Sequence, residues 1–308
     1  MRPLDVVGFG ALNVDRLFKV DKIAGAEEES FVTDFEEACG GSAANTIVGL
    51  ARLGCTVGFI GKVANDREGK LLLNEFRRER VDTTGVVLTE RGRSGTAVGF
   101  VDKKGNRALY IDAGVNDTVC FDEIDLDYVS RARFVHLTSF VGEESFQAQK
   151  EVVERLPENV RISFDPGVLY ARKGLDALGS IVSRTCVLMP NSRELKQLTG
   201  IDDPEKGAER MLKKGARIVA VKLGSKGCYL TDGKESHHIA PFKVKVVDTT
   251  GAGDAFCAGL LYGLLKDKSL RECGLIANFV ASRCAMKMGA RAGLPCLKEL
   301  SFPSQVCD

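Results

Sequence analysis

The feature that most constrains this 308-residue chain is an alternation of short β-branched runs with longer stretches of helical period. "LDVVGFG" (4–10) leads to "SAANTIVGLARLG" (42–54), and "TVGFIG" (56–61) leads to "DREGKLLLNEFRRER" (66–80). In the first helical stretch Ala44, Ile47, Val48 and Ala51 recur at helical spacing, and Gly54 is a natural stop. The rhythm resumes with "RFVHLTSF" (133–140), a helix after Gly142, "RISFD" (161–165), "CVLMP" (186–190) and "RIVAVKLG" (217–224). Such alternation predicts an α/β fold with a central, mostly parallel sheet sandwiched by helices.

Two segments break the rhythm. Residues of about 14–37 and 94–112 lack helical periodicity, and the second holds two extended runs around the turn "DKKGN". Both read as antiparallel strands outside the main sheet, a small β-sheet lid of 14–37 and 94–112 on a core of 1–13, 38–93 and 113–308. After 248 the chain turns helical. "AGDAFCAGLLYGLLKD" is apolar on most faces and predicts a buried helix, and "SLRECGLIANFVASRCAMKMG" predicts another, ended by Gly289.

Composition excludes several partners. With 43 Lys+Arg against 42 Asp+Glu there is no field to recruit nucleic acid or an acidic membrane. No stretch approaches the ~20 apolar residues that cross a bilayer, and the N-terminus fits neither a signal nor a transit peptide. The ten cysteines form no C-x-x-C pair, and Cys257 and Cys284 sit inside apolar helical runs. Free thiols in a reducing, cytoplasmic setting are expected. His237 and His238 read as exposed strand or loop, and the sequon "NDT" at 116–118 as one by spelling alone.

The chemistry concentrates in "VVDTTGAGDAFCAG" (246–259). Gly251, Ala252 and Gly253 leave their backbone open to a ligand, and a helix starting there aims unpaired N–H groups and a positive dipole end outward, an anion site. A carboxylate at Asp254 would repel a bound phosphate unless it serves the other reactant, a hydroxyl that must lose its proton. The alternative is an aspartate capping a helix after a glycine turn. No Walker A pattern occurs, and "GFGALN" (8–13) lacks the third glycine of a dinucleotide fingerprint.

At these residues the chain resembles the ribokinase-like (PfkB) carbohydrate kinases. "GGSAANTIVGLARLG" (40–54) is similar to their N-terminal signature, "DTTGAGDAFCAG" to their C-terminal one, "NSRE" (191–194) to their N-x-x-E motif and "VKLGSKG" (221–227) to their nucleotide-side loop, in order over nearly the whole chain. The resemblance implies a ribokinase-like fold and ATP-dependent transfer of the γ-phosphate to a primary hydroxyl of a small sugar. Asp254 would be the base and the 251–253 backbone the anion hole. It implies sugar contacts at Asn13, Asp15, Gly41 and Asn45, and Mg²⁺ organised through water by Asn191 and Glu194. Lys222, Gly224, Ser225, Gly227 and Asn278 would meet the nucleotide, and Asp248 and Thr250 a monovalent cation such as K⁺, in a loop that Gly289 helps close. The lid would close over the sugar and exclude water, and a homodimer through it is expected. Arg107 on the second lid segment is either a contact for an acidic or phosphorylated sugar or an exposed strand residue. Two rival functions stay open: a nucleoside kinase of the same family, and a non-catalytic sugar- or nucleotide-binding protein.

Overall fold

The computed structural model describes residues 3–104 and 106–300. In chain order its strands are β1 (Leu4–Phe9), β2 (Asn13–Val20), β3 (Val32–Gly40), β4 (Val57–Ala64), β5 (Val86–Thr89), β6 (Gly95–Asp102), β7 (Arg107–Asp112), β8 (Ala132–Thr138), β9 (Arg161–Asp165), β10 (Thr185–Leu188), β11 (Ile218–Lys222), β12 (Cys228–Thr231) and β13 (Ser236–Ile239). The helices are α1 (Ser42–Arg52), α2 (Arg67–Arg78), α3 (Leu126–Ser130), α4 (Glu143–Arg155), α5 (Gly167–Arg184), α6 (Ser192–Thr199), α7 (Pro204–Lys213), α8 (Ala252–Leu265) and α9 (Leu270–Cys284).

The large sheet has the order β13-β12-β11-β10-β9-β8-β1-β4-β5. Every neighbouring pair from β11 to β5 is parallel, and β12 and β13 are added antiparallel at one edge. Helices cover both faces, so its central strands are apolar on both. On β1, Val6 belongs to a core with Ile47, Phe59 and Leu260, while Val7 and Phe9 belong to the opposite core with Phe146, Phe164 and Tyr170. Helix α8 is buried along most of its length between α1 and α9. Small residues permit this: a Cβ on Gly259 would lie 2.8 Å from Ala277 Cα, and one on Gly49 2.8 Å from Ala258 Cβ.

Gly54, at φ 84°, follows the end of α1 as expected. Helix α9 departs from expectation by stopping at Cys284, short of Gly289. Its exit is captured by the incoming chain, since the Ala285 carbonyl accepts the amides of Val247 (2.9 Å) and Asp248 (3.3 Å).

The second sheet has the order β3-β2-β6-β7. Both hairpins are antiparallel, and they join through a parallel β2–β6 pair. Asp102 closes the β6–β7 turn by accepting the amides of Lys104 and Asn106, both at 2.9 Å. The sheet carries exposed apolar side chains, among them Phe35 (50%), Tyr110 (65%) and Ile111 (51%). Its strands β2 and β3 meet at the pair Asn13–Gly40, next to the end of β1. Among the described residues the cysteines are free thiols, and no helix is long and apolar enough to cross a membrane.

Candidate active site

Thr138 ends β8, Asp165 ends β9, Asn191 follows β10 and Lys222 ends β11. These carboxyl ends open on one side of the sheet, where parallel α/β folds place their ligands. Facing them is the first turn of α8, and between lies a cavity of 300 Å³ lined by Asp165, Asn191, Glu194, Lys222, Gly224, Gly253 and Asp254, with Ser42, Thr138 and Ser139 at its other side.

Helix α8 starts on Gly251, which is left-handed (φ 74°) and supplies no side-chain cap. Glycine is required here twice over, by the backbone angle and because a Cβ would stand 2.6 Å from Ala290 Cα. The Ala252 amide is already spent on Thr249 O (3.1 Å), so of the three expected anion-hole residues this one has its N–H engaged within the turn, while Gly253 lines the cavity.

Asp254 sits in the same turn. Its Oδ2 accepts from Asn45 Nδ2 at 2.8 Å, and its backbone carbonyl accepts from Thr46 Oγ1 at 3.2 Å, so α1 fixes both ends of the residue. Burial pushes the carboxyl up to about 7; the Asn45 hydrogen bond opposes this, the charge of Asp165 adds to it, and Lys222 and Arg291 pull back. A carboxylate so tuned can take up a proton near neutrality.

Asn191 and Glu194 form a capping box at the start of α6. Asn191 Oδ1 accepts the Glu194 amide (2.9 Å), and Glu194 Oε2 accepts the Asn191 amide (2.8 Å). The Glu194 carboxyl is pushed up by burial first and by Asp165 second. Oε1 takes no part in the box, and Glu194 lines the cavity. Lys222 donates to Asp165 Oδ2 at 2.5 Å, and the Cys257 thiol donates to the same oxygen at 3.4 Å. Burial opposes the Lys222 charge, but Asp165, with Cys257 and Glu194 adding, outweighs it and the net shift is upward.

Below α8, Asp248 Oδ1 accepts from the amide and hydroxyl of Thr250 (2.9 and 2.8 Å), and its Oδ2 accepts from the Gly289 amide (2.9 Å). A smaller cavity of 130 Å³, lined by Asn13 and Gly41, shares Ser42, Thr138 and Ser139 with the first and reaches up to Ile111 of the small sheet.

Some expected residues fall elsewhere. Asp15 packs its carboxylate against Gly40 and lines a different cavity, with Glu36, Cys39 and Arg291. Ser225 is exposed and outside the lining, and Gly227 holds the turn under Ile239 O. Asn278 is not in this cavity: its Nδ2 donates to Ile239 O and Ala240 O, both at 3.1 Å, so it braces α9 against the exit of β13. The side chain of Arg107 lies outside the described residues.

Three residues were missed by sequence reasoning. Asp165 is buried, pairs with Lys222 and keeps an unpartnered Oδ1; its signal was an acid closing the apolar run "RISF" at the end of a parallel strand. Asn116, the spelled sequon, is buried and brackets Leu12 through its N–H and C=O while donating to Asn13 Oδ1, each at 2.9 Å. Arg291 donates to Asn45 Oδ1 at 2.8 Å, and nothing in "GARAG" pointed to it.

The sequence profile of the pfkB family carbohydrate kinases matches residues 4–296. An uncharacterized sugar kinase of Archaeoglobus fulgidus is 49% identical over 251 residues, 80% of this chain and 98% of that protein. An ATP-dependent ribose-1-phosphate kinase of Halopiger xanaduensis is 33% identical over 93% of this chain and 94% of its own length. The structure of Arabidopsis thaliana ribokinase complexed with ribose and ATP superimposes with a TM-score of 0.85 at 27% identity, over 97% of both chains.

Proposed function

The chain belongs to the pfkB family of carbohydrate kinases, and on that premise we propose that it moves the γ-phosphate of ATP to a primary hydroxyl of a small sugar, with Asp254 as the base. The observation that carries this reading is a buried carboxylate pushed up to about 7 on the first turn of a helix, where Asp254 and the neighbouring Gly253 line the same cavity as Lys222, Asn191 and Glu194. Asp254 would take the hydroxyl proton as the oxygen attacks, and the amides of Gly251 and Gly253 would receive the charge on the transferred phosphoryl group.

Asn13 and Gly41 line the adjoining cavity, which suits the sugar, and Asn45 would hold Asp254 in line with it. Lys222 and Gly224 lie on the other side of Asp254, where the nucleotide phosphates would lie. The hard oxygens of Glu194 and Asn191 fit Mg²⁺ bound through water, which would neutralise those phosphates. Asp248 and Thr250 are likewise oxygen donors of the type a K⁺ ion takes, and the loop they hold carries the anion-hole glycines. The small sheet would act as a lid, and its exposed Phe35, Tyr110 and Ile111 suit a homodimer, checked by sedimentation.

Nucleoside diphosphate release from ATP and Mg²⁺, measured across free sugars, sugar phosphates and nucleosides, tests the reading. One acceptor class should stimulate release. The sugar phosphates are included because the Halopiger relative is named for one. Binding of nucleotide and sugar with no release on any member of the panel would replace the kinase with a binding protein.

A further inference from the structure

Asn45 occupies an unusual place, because its amide touches the proposed base on one side and a buried guanidinium on the other. Its Nδ2 donates to Asp254 Oδ2 at 2.8 Å, and its Oδ1 accepts from Arg291 Nε at 2.8 Å. Arg291 is buried, and its Nη2 donates separately to Gly40 O at 3.2 Å, the last residue of β3. We propose that Arg291 is a positioning residue, which fixes the Asn45 amide with its N–H toward Asp254 and ties that arrangement to the end of the small sheet at Gly40.

The donor inventory makes the assignment one-way. A guanidinium has no lone pair to offer, so only the oxygen of Asn45 can face it, and the NH₂ group is thereby turned to Asp254. Without Arg291 the amide is free to turn over, which would set its carbonyl against the carboxylate. Lysine would not replace it, because two fixed donors diverge to two acceptors on different elements. The loop is anchored in turn, as Arg291 O accepts from Arg52 Nη1 at 2.6 Å and Arg52 pairs with Glu79. One side chain thus connects α1, β3 and, through Asn45, the first turn of α8.

The inference rests on Asp254 as the base, and its test separates the two. Turnover is measured for Arg291→Gln, Asn45→Ala and the double variant, with thermal melting to establish that each folds. If Arg291 acts through Asn45, Arg291→Gln lowers kcat about tenfold alone and less than about twofold when Asn45 is already alanine. Equal losses in both backgrounds would overturn the proposal. If Arg291→Gln does not fold, Arg291→Lys takes its place in the same cycle, with a smaller loss that again vanishes beside Asn45→Ala.

A second readout needs no turnover. The side-chain NH₂ of Asn45, observed by NMR, should be protected from solvent exchange in the wild-type chain and exchange at least about tenfold faster in the Arg291 variant. Unchanged exchange would overturn the proposal. Should the wild-type protein transfer no phosphate, the base assignment fails and the exchange measurement alone decides the role of Arg291.

Discussion

Two helices enter the site cavity with the same local pattern and opposite outcomes. Both α6 and α8 carry an acid at the third helical position, Glu194 and Asp254. Glu194 folds back on its own helix and closes a capping box with Asn191. Asp254 does not, because Gly251 offers no side chain to complete a box and Asn45 of α1 claims its carboxylate instead. One residue, the N-cap, separates a helix start that satisfies itself from one that keeps its amides and its acid for a ligand. The first satisfies its own terminus; under the proposed function the second serves the chemistry.

The sharpest break of this contrast is Asp254→Asn. The isosteric amide keeps the shape of the turn but cannot take a proton, so kcat should fall by at least ~10²-fold with little change in melting temperature. Loss of melting temperature with retained turnover would make Asp254 a capping residue like Glu194.

Next in size is Gly251→Ala. The left-handed angle and the close approach to Ala290 should cost roughly 1–3 kcal/mol of stability, read by denaturant titration, and the displaced amides should lower turnover with it. At α6 the equivalent disturbance is milder. Asn191→Ala removes one cap bond and should cost about 1 kcal/mol. Under the proposed role it should also raise the Mg²⁺ concentration needed for half-maximal turnover. A stability loss with no shift in Mg²⁺ dependence would reduce the pair to its capping box.

How far the sequence could be read follows from the range of each interaction. Gly54 was legible as a stop because the signal is local, and so was Asp254, whose neighbours on the chain are the small residues that open the site. The end of α9 was not legible, because Ala285 O is taken by Val247 and Asp248 from a segment before α8. Asp165 and Lys222 stand 57 positions apart and Asn45 and Arg291 246 apart, so each pair exists only once the sheet has formed. Asn278 shows the opposite case: its place on the chain fits the resemblance, and what the fold adds is that its Nδ2 donates to the backbone after β13.

The smallest effect is a pH slope, and it separates the two acids again. In the folded chain the Asp254 carboxyl titrates at about 7, against an ordinary value of 3.8. Between those values the folded state holds a proton that the unfolded state has released, so stability should fall as pH rises through that window and level off above it. Activity should move the other way, rising as the base ionises near pH 7. Asp254→Asn should flatten the stability slope across the upper part of the window. Whatever slope survives in that variant belongs to other groups: Glu194, whose carboxyl is also pushed upward, adds a slope of the same sign that Glu194→Gln should remove, while buried His136, held down at about 4, adds one of the opposite sign. A slope left intact by Asp254→Asn would mean that burial does not hold a proton on this carboxylate, and the argument for it as a base tuned to neutrality would fall with it.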